Sequence, residues 1–306
     1  MNLKIKNKNI LTLDELDSKE LQHLLELAIE LKKQQKKGKQ NPVLQGKTLA
    51  MIFEKPSTRT RVSFEVAMLQ LGGHAITLSS DNLQTSRGET ISDTAKTLSR
   101  YVDVIMARVY EHETLENLAE HASVPIINGL SDSYHPCQIL ADLMTIKEHK
   151  KNLKKIKIAW IGDGNNVCNS LILGCSKLNI KISVATPGGF EPSNVAVSTA
   201  KLHTQIEITD DPSKAVEDAD AVMTDTFVSI HNDEKDRLEK FLPKFQVNSD
   251  LMKKAKKDAI FLHCLPAKRD QEVTGDVIDG SQSVVWDEAE NRLHAQKALL
   301  LSLLNV

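Results

Sequence analysis

The chain has 306 residues, 39 of them basic and 41 acidic, with a formal net charge of −2 at pH 7. That balance argues against nucleic acid as the principal partner, because neutralising a phosphate backbone takes a concentrated basic surface. The length exceeds a usual single core, so two domains are expected. No apolar run approaches the roughly 20 residues that cross a bilayer, and Met1-Asn2-Leu3-Lys4-Ile5-Lys6 lacks the apolar centre of a signal peptide. The expectation is a cytoplasmic protein with no membrane partner.

Asp17 and Glu20 form the capping pair of a helix whose Leu21, Leu24, Leu25, Ala28 and Leu31 share one face. The basic run from Lys32 to Lys39 reads as its solvated end, with Gly38 as the stop. Thr48–Phe53 reads as a buried strand, Pro56 breaks it, and Arg61–Leu71 has helical apolar spacing closed by Gly72-Gly73. Between them stands Ser57-Thr58-Arg59-Thr60-Arg61, two guanidiniums and three hydroxyls at a helix start. Unpaired N–H groups and the helix dipole favour an anion there, and an arginine fork fits phosphate oxygens. The plainer alternative is an N-cap with two solvated arginines. Residues 79–88, with Gln84, read as a polar loop.

His135-Pro136-Cys137-Gln138 opens a further helix, and the polar stretch Lys150–Lys155 is the best candidate domain boundary. Beyond it, Ile156–Ile161, Ile180–Ala185, Ala221–Met223 and Ala259–Leu262 are short, rich in branched residues and separated by helical lengths, the pattern of a parallel α/β sheet. Gly162-Asp163-Gly164-Asn165-Asn166 resembles a dinucleotide turn only weakly. Val167 replaces the third glycine, and the next strand ends in Thr186-Pro187 rather than in an acid for a ribose. By themselves Asn165 and Asn166 read as turn residues. Asp225–Ser229 and His263-Cys264-Leu265-Pro266 follow, and from Glu288 through Arg292 the chain closes on a long amphipathic helix. The cysteines Cys137, Cys168, Cys175 and Cys264 form no CxxC pair and read as free thiols. A zinc set of His135, Cys137, His263 and Cys264 lacks ligand spacing, so neither a metal nor another cofactor is expected.

In linear order, Ser57–Arg61, His135–Gln138, Gly162–Asn166, Asp225–Ser229 and His263–Pro266 resemble the aspartate/ornithine carbamoyltransferase family over nearly the whole chain, most closely its ornithine branch. The resemblance implies an α/β fold of two domains, each a parallel sheet flanked by helices and joined by interdomain helices. Residues 1–150 would bind carbamoyl phosphate, with the terminal helix 288–306 packing back on them, and residues 151–287 would bind ornithine. The implied reaction is attack of the ornithine δ-amine on carbamoyl phosphate, giving citrulline and phosphate. The resemblance assigns the carbamoyl phosphate contacts to Ser57, Thr58, Arg59, Thr60, Arg61, Gln84, Arg108, His135, Pro136, Cys137, Gln138, Cys264, Leu265 and Arg292. It assigns ornithine to Asn166, Asp225, Ser229 and Ile230, and the chemistry to Arg108, His135, Cys264 and Asp225. Gln84 would reach the site of a neighbouring subunit, in a homotrimer.

One departure stands out. The family pattern continues Ser-Met-Gly where this chain has Ser229-Ile230-His231, which opens the choice of amine. Two other readings remain: a carbamoyltransferase for another amine or amino acid, and a non-catalytic α/β ligand-binding module.

Overall fold

The computed structural model describes residues 5–39, 42–79, 83–228 and 235–305. The chain divides into two compact units, one comprising Met1–Met144 and Glu290–Val306, the other Thr145–Ala289. In chain order the first unit holds helix α1 (Ser18–Lys36), strand β1 (Thr48–Phe53), α2 (Thr58–Gln70), β2 (His74–Ser79), α3 (Ile91–Leu98), β3 (Val104–Arg108), α4 (His112–His121) and β4 (Ile126–Leu130), and α5 (Pro136–Lys150) begins in it. The second holds β5 (Lys157–Ile161), α6 (Asn166–Leu178), β6 (Lys181–Ala185), α7 (Asn194–Lys201), β7 (Ile206–Thr209), α8 (Pro212–Val216), β8 (Ala221–Thr224), α9 (Lys235–Phe241), α10 (Ser249–Met252), β9 (Ile260–His263) and α11 (Gly275–Ile278). Helix α12 (Val285–Leu303) starts in the second unit, and from Glu290 its residues belong to the first.

Asp17 accepts from the N–H groups of Lys19 and Glu20, and the Glu20 carboxylate accepts from Asp17 N–H, closing the capping box of α1. Its apolar stripe is buried as its spacing requires. Of the basic run, Lys33, Lys36, Lys37 and Lys39 are exposed. Lys32 departs from the expected solvated end: it lies on the buried stripe, one residue from Leu31, and its Nζ donates to Asn291 Oδ1 at 2.7 Å.

Both sheets are parallel, with strand orders β2-β1-β3-β4 and β7-β6-β5-β8-β9. Central strands such as β1 are buried on both faces from Leu49 to Phe53, which is why they read as unbroken apolar runs. The edge strands β2 and β7 bury little of their side chains. Each unit has its own core, one around Ile52, Ile105, Leu115 and Ile126, the other around Ile161, Phe227, Phe241 and Phe261. Among the described residues no helix is long and apolar enough to cross a membrane.

The chain order decides where ligands can go. Each sheet's order reverses once, between β1 and β3 and between β5 and β8, and parallel sheets open a crevice beyond the strands' carboxyl ends at such a point. Ser57–Arg61 follow β1, Arg108 ends β3, and His135 follows β4, so three neighbouring strands deliver them to one edge. In the second unit β5, β8 and β9, also neighbours, deliver Asn165 and Asn166, Asp225, and His263 with Cys264.

The turn after β5 depends on Gly164, whose N–H donates to the Phe190 carbonyl at 2.8 Å. A Cβ there would lie inside the contact radii of the Pro192 and Glu191 backbone. Gly164→Ala is therefore expected to destabilise by about 1 to 3 kcal/mol. A lowered chemical-denaturation midpoint with an unchanged m value would show it.

Candidate active site

In the first unit the helix start at α2 is free of acidic residues. Ser57 caps it, its Oγ accepting from Thr60 N–H at 3.3 Å, and the remaining first-turn N–H groups have no intrahelical acceptor. Arg59 is exposed. Arg61 lies along its own helix, its Nε 3.1 Å from Glu65 Oε1. Gln84, itself exposed, opens the short helical turn Gln84–Arg87.

Beneath this helix start Arg292, on α12, forms a buried fork. One Nη donates to Thr60 Oγ1 at 2.9 Å; the other donates to Gln138 Oε1 and, at 3.3 Å, to His135 Nε2. Gln138 in turn donates to Asp142 Oδ1 at 2.8 Å, which turns its amide oxygen towards Arg292. Thr60, His135, Gln138, Asp142 and Arg292 are all buried. Because His135 Nε2 accepts, the ring proton belongs on Nδ1 in this arrangement. Burial first, and then the positive charges of Arg292, Arg108 and Arg59, hold the His135 imidazole neutral well below the usual histidine range. Pro136 is the first residue of α5. Cys137 turns into the core, its thiol donating to the Asn128 carbonyl at 3.3 Å, and burial pushes that thiol up to about 12.

In the second unit a carboxylate organises the edge. Asn165 caps α6, its Oδ1 accepting from Val167 and Cys168 N–H, and its Nδ2 donates to Asp225 Oδ2 at 2.8 Å. The other carboxylate oxygen of Asp225 accepts from the Cys264 thiol at 3.1 Å and from Thr226 N–H at 2.8 Å. Asn166 is the first residue of α6. Ser229, Ile230 and His231 lie outside the described residues.

The loop carrying Cys264 and Leu265 hangs on His263. His263 N–H donates to Glu288 Oε2 at 2.9 Å, its Nε2 lies 3.1 Å from Glu272 Oε1, and its Nδ1 accepts from Leu265 N–H at 2.9 Å. That last bond holds Leu265 at φ 58°, left-handed and uncommon for a leucine. Asp225, His263 and Cys264 place ligand atoms within 4.8 Å of one another. Yet both ring nitrogens of His263 are engaged, which leaves two donors and fits a scaffold better than a metal centre. The four cysteines are free thiols, and Cys264 alone of them is half-exposed.

Comparison with known proteins places both units in one family. Residues 8–148 match the family model described as aspartate/ornithine carbamoyltransferase, carbamoyl-P binding domain, and residues 154–303 match its Asp/Orn binding domain. The chain belongs to the aspartate/ornithine carbamoyltransferase family. An ornithine carbamoyltransferase of Cenarchaeum symbiosum is 62% identical over 301 residues, 98% of this chain and 99% of the relative. One of Pyrococcus horikoshii is 54% identical over 99% and 98% of the two chains. The solved structure of an ornithine carbamoyltransferase from Pyrococcus furiosus superposes with a TM-score of 0.94 at 53% identity, covering 98% of this chain and 97% of that one. Membership of the family explains why the anion-seeking helix start and the held carboxylate stand in separate units, each matched by its own domain model.

Several participants carried no signal in the sequence. Asn165 was indistinguishable from a turn residue, yet it holds Asp225. Asp142, Glu272 and Glu288 are buried carboxylates inside ordinary helical or loop patterns. Lys55, just before the phosphate-seat motif, is buried with its Nζ 4.2 Å above the Tyr110 ring, and burial followed by Arg108 lowers its ammonium to about 8.

His135 generates a prediction in two parts. Its imidazole is expected to show no midpoint near the ordinary value of 6.5 in an NMR titration of the folded protein. The folded pKa is depressed, so below about 6.5 the unfolded chain takes up a proton that the folded chain refuses, and stability falls as pH drops through that window. His135→Asn should flatten that part of the stability profile, and a profile identical to that of the parent would contradict the assignment.

Proposed function

We propose that this protein transfers the carbamoyl group of carbamoyl phosphate to the δ-amine of L-ornithine, giving L-citrulline and phosphate. The observation that carries the reading is that each unit's sheet edge gathers one sign of charge, positive in the first and negative in the second. One sheet edge collects Arg59, Arg108 and Arg292 around a helix start, and the other holds the Asp225 carboxylate between Asn165 and Cys264. The first suits a phosphate-bearing donor and the second an amino acid's ammonium group.

On this reading Ser57, Thr58, Arg59, Thr60 and Arg108 bind the phosphate, which leaves as an anion. Arg61, turned along its own helix, supports the seat, and Lys55 adds positive potential beside it. Thr60, Arg108, His135 and Arg292 face the carbonyl oxygen, on which charge grows as the tetrahedral species forms. A neutral His135 serves as a hydrogen-bond donor rather than as a proton carrier, since carbamoyl phosphate brings its own good leaving group. The carbamoyl nitrogen needs acceptors: Gln138 Oε1, which α5 presents, and the backbone carbonyls of Cys264 and Leu265. Pro136 and Cys137 contribute the rigid helix start that presents His135.

Asn166, Asp225, Ser229 and Ile230 bind ornithine. The attacking amine must be neutral, and Asp225 with Cys264 assists that deprotonation, an assignment supported by the hydrogen bond that already joins them. Most of the rate gain comes from orientation and fixed dipoles. The protein is further proposed to work in the cytoplasm as a homotrimer with Gln84 lent to a neighbouring copy. The exposed apolar side chains Val62 and Leu69, seven residues apart on α2, and Ile76 on edge strand β2 support a subunit contact on the first unit.

Purified protein supplied with carbamoyl phosphate should form citrulline from ornithine, and carbamoylate aspartate, putrescine and N-acetylornithine far more slowly in parallel assays. Preference for another acceptor would overturn the choice of amine; carbamoyl phosphate binding without any turnover would favour a binding module. Arg59→Ala should weaken carbamoyl phosphate binding by about 1.5 to 3 kcal/mol, as expected for a lost charged hydrogen bond. Cys264→Ser should lower turnover and shift its pH profile, and an unshifted profile at full rate would remove the thiol from the deprotonation step.

A further inference from the structure

Arg237 is absent from every motif above, yet it is one of the most heavily engaged side chains of the second unit. Its Nε donates to the Phe227 carbonyl at 2.7 Å, and one Nη pairs with Asp163 Oδ2. Its guanidinium carbon lies 4.6 Å from the Phe190 ring centre and 5.6 Å from that of Phe241. Asp163 belongs to the turn after β5, and Phe227 to the turn after β8. These strands are paired neighbours, with Ile161 opposite Thr224. The turns also interlock directly: Thr224 Oγ1 donates to the Ile161 carbonyl at 2.6 Å, and a Cβ at Gly162 would come within 2.6 Å of the Phe227 ring. Asn165 leaves the first turn and Asp225 the second, and they meet at 2.8 Å.

The geometry points to Arg237 as a positioning residue: its fork clips the Asp163 turn to the Phe227 turn and so sets the register in which Asn165 presents the Asp225 carboxylate to the incoming amine. This deepens the ornithine reading and rests on it. A planar fork with two donor directions can bind a carbonyl and a carboxylate at once, which an ammonium on a flexible stem cannot do with the same rigidity. Stability alone accounts poorly for the pair. Burial pushes the Asp163 carboxyl up to about 6 even with Arg237 beside it, and Asp225 adds to that rise. A buried pair whose desolvation outweighs its attraction contributes little to folding, so what it supplies here is geometry.

The test compares Arg237→Gln, Arg237→Lys, Asp163→Asn and Asp163→Ala by steady-state kinetics and by the rate at which iodoacetamide alkylates Cys264 in the unliganded protein. Cys264 reports on Asp225 directly, and Cys137, Cys168 and Cys175 are buried. Both Arg237 variants and Asp163→Ala are expected to raise KM for ornithine about 10-fold to 100-fold, the equivalent of one charged hydrogen bond. KM for carbamoyl phosphate should change far less, because on the proposed reading its phosphate is held by Ser57, Thr58, Arg59, Thr60 and Arg108 of the first unit. Asp163→Asn keeps an acceptor and should recover most of the loss. The alkylation rate of Cys264 should change in the variants that lose the clip and not in Asp163→Asn. A parallel rise of both KM values, or an unchanged ornithine KM in folded Arg237→Gln, overturns the proposal. Should Arg237→Gln fail to fold, Arg237→Lys and Asp163→Ala carry the same comparison. A parent protein that does not use ornithine would overturn the proposed reaction instead, and the alkylation rates alone would then decide the clip: unchanged rates in Arg237→Lys and Asp163→Ala reject it.

Discussion

A single buried guanidinium, that of Arg292, holds the first unit's site in shape. It joins Thr60 at the start of α2, Gln138 within α5 and His135 just before it, so two helix starts that follow different strands are locked around one cation. Burying a cation costs several kcal/mol before its partners offset it. These three acceptors are neutral, and their bonds orient the fork. After burial, the same charge depresses the His135 pKa, and Arg108 and Arg59 add to it.

The second unit solves the opposite problem with the same economy of parts. There the central group is a carboxylate, Asp225, with each oxygen held by a donor: Asn165 on one side, Cys264 and Thr226 on the other. The groups behind them are more deeply buried than the site itself. His263 spends both ring nitrogens and its N–H on Glu272, Leu265 and Glu288, so a histidine inside a conspicuous motif shapes the loop that carries Cys264. Arg237 stands in a similar relation to Asp225, one step removed and anchored by aromatic rings.

Much of this was legible in the residues, and the exceptions share a cause. Strands β1, β5, β6 and β8 announce themselves because central parallel strands are apolar on both faces, and the edge strand β9 does so because all four of its residues are buried. Edge strands β2 and β7 are partly solvated, so His74–Ser79 and Ile206–Thr209 mix polar with apolar residues and carry no such signature. Strand β3 offers only four apolar residues between Asp103 and Arg108, and polar Asn128 interrupts β4. Lys32 was misread as solvent-facing because a basic run resembles a helix end, whereas its partner Asn291 lies at the far end of the chain.

By itself the sequence determined the alternation of strand and helix, the placing of a hydroxyl-and-arginine cluster at a helix start, and a series of polar motifs specific enough to identify the family. Those features are local: periodicity, capping and short-range spacing are written in residues a few positions apart. Only the tertiary structure decided which motifs meet. Thr60 and Arg292 are separated by most of the chain, and Asn165 and Asp225 by three strands and three helices, so their contacts follow from how the elements are assembled, which no local pattern encodes. It also decided which polar residues act from behind the site, because a buried carboxylate or guanidinium can be told from a solvated one only by what folds around it.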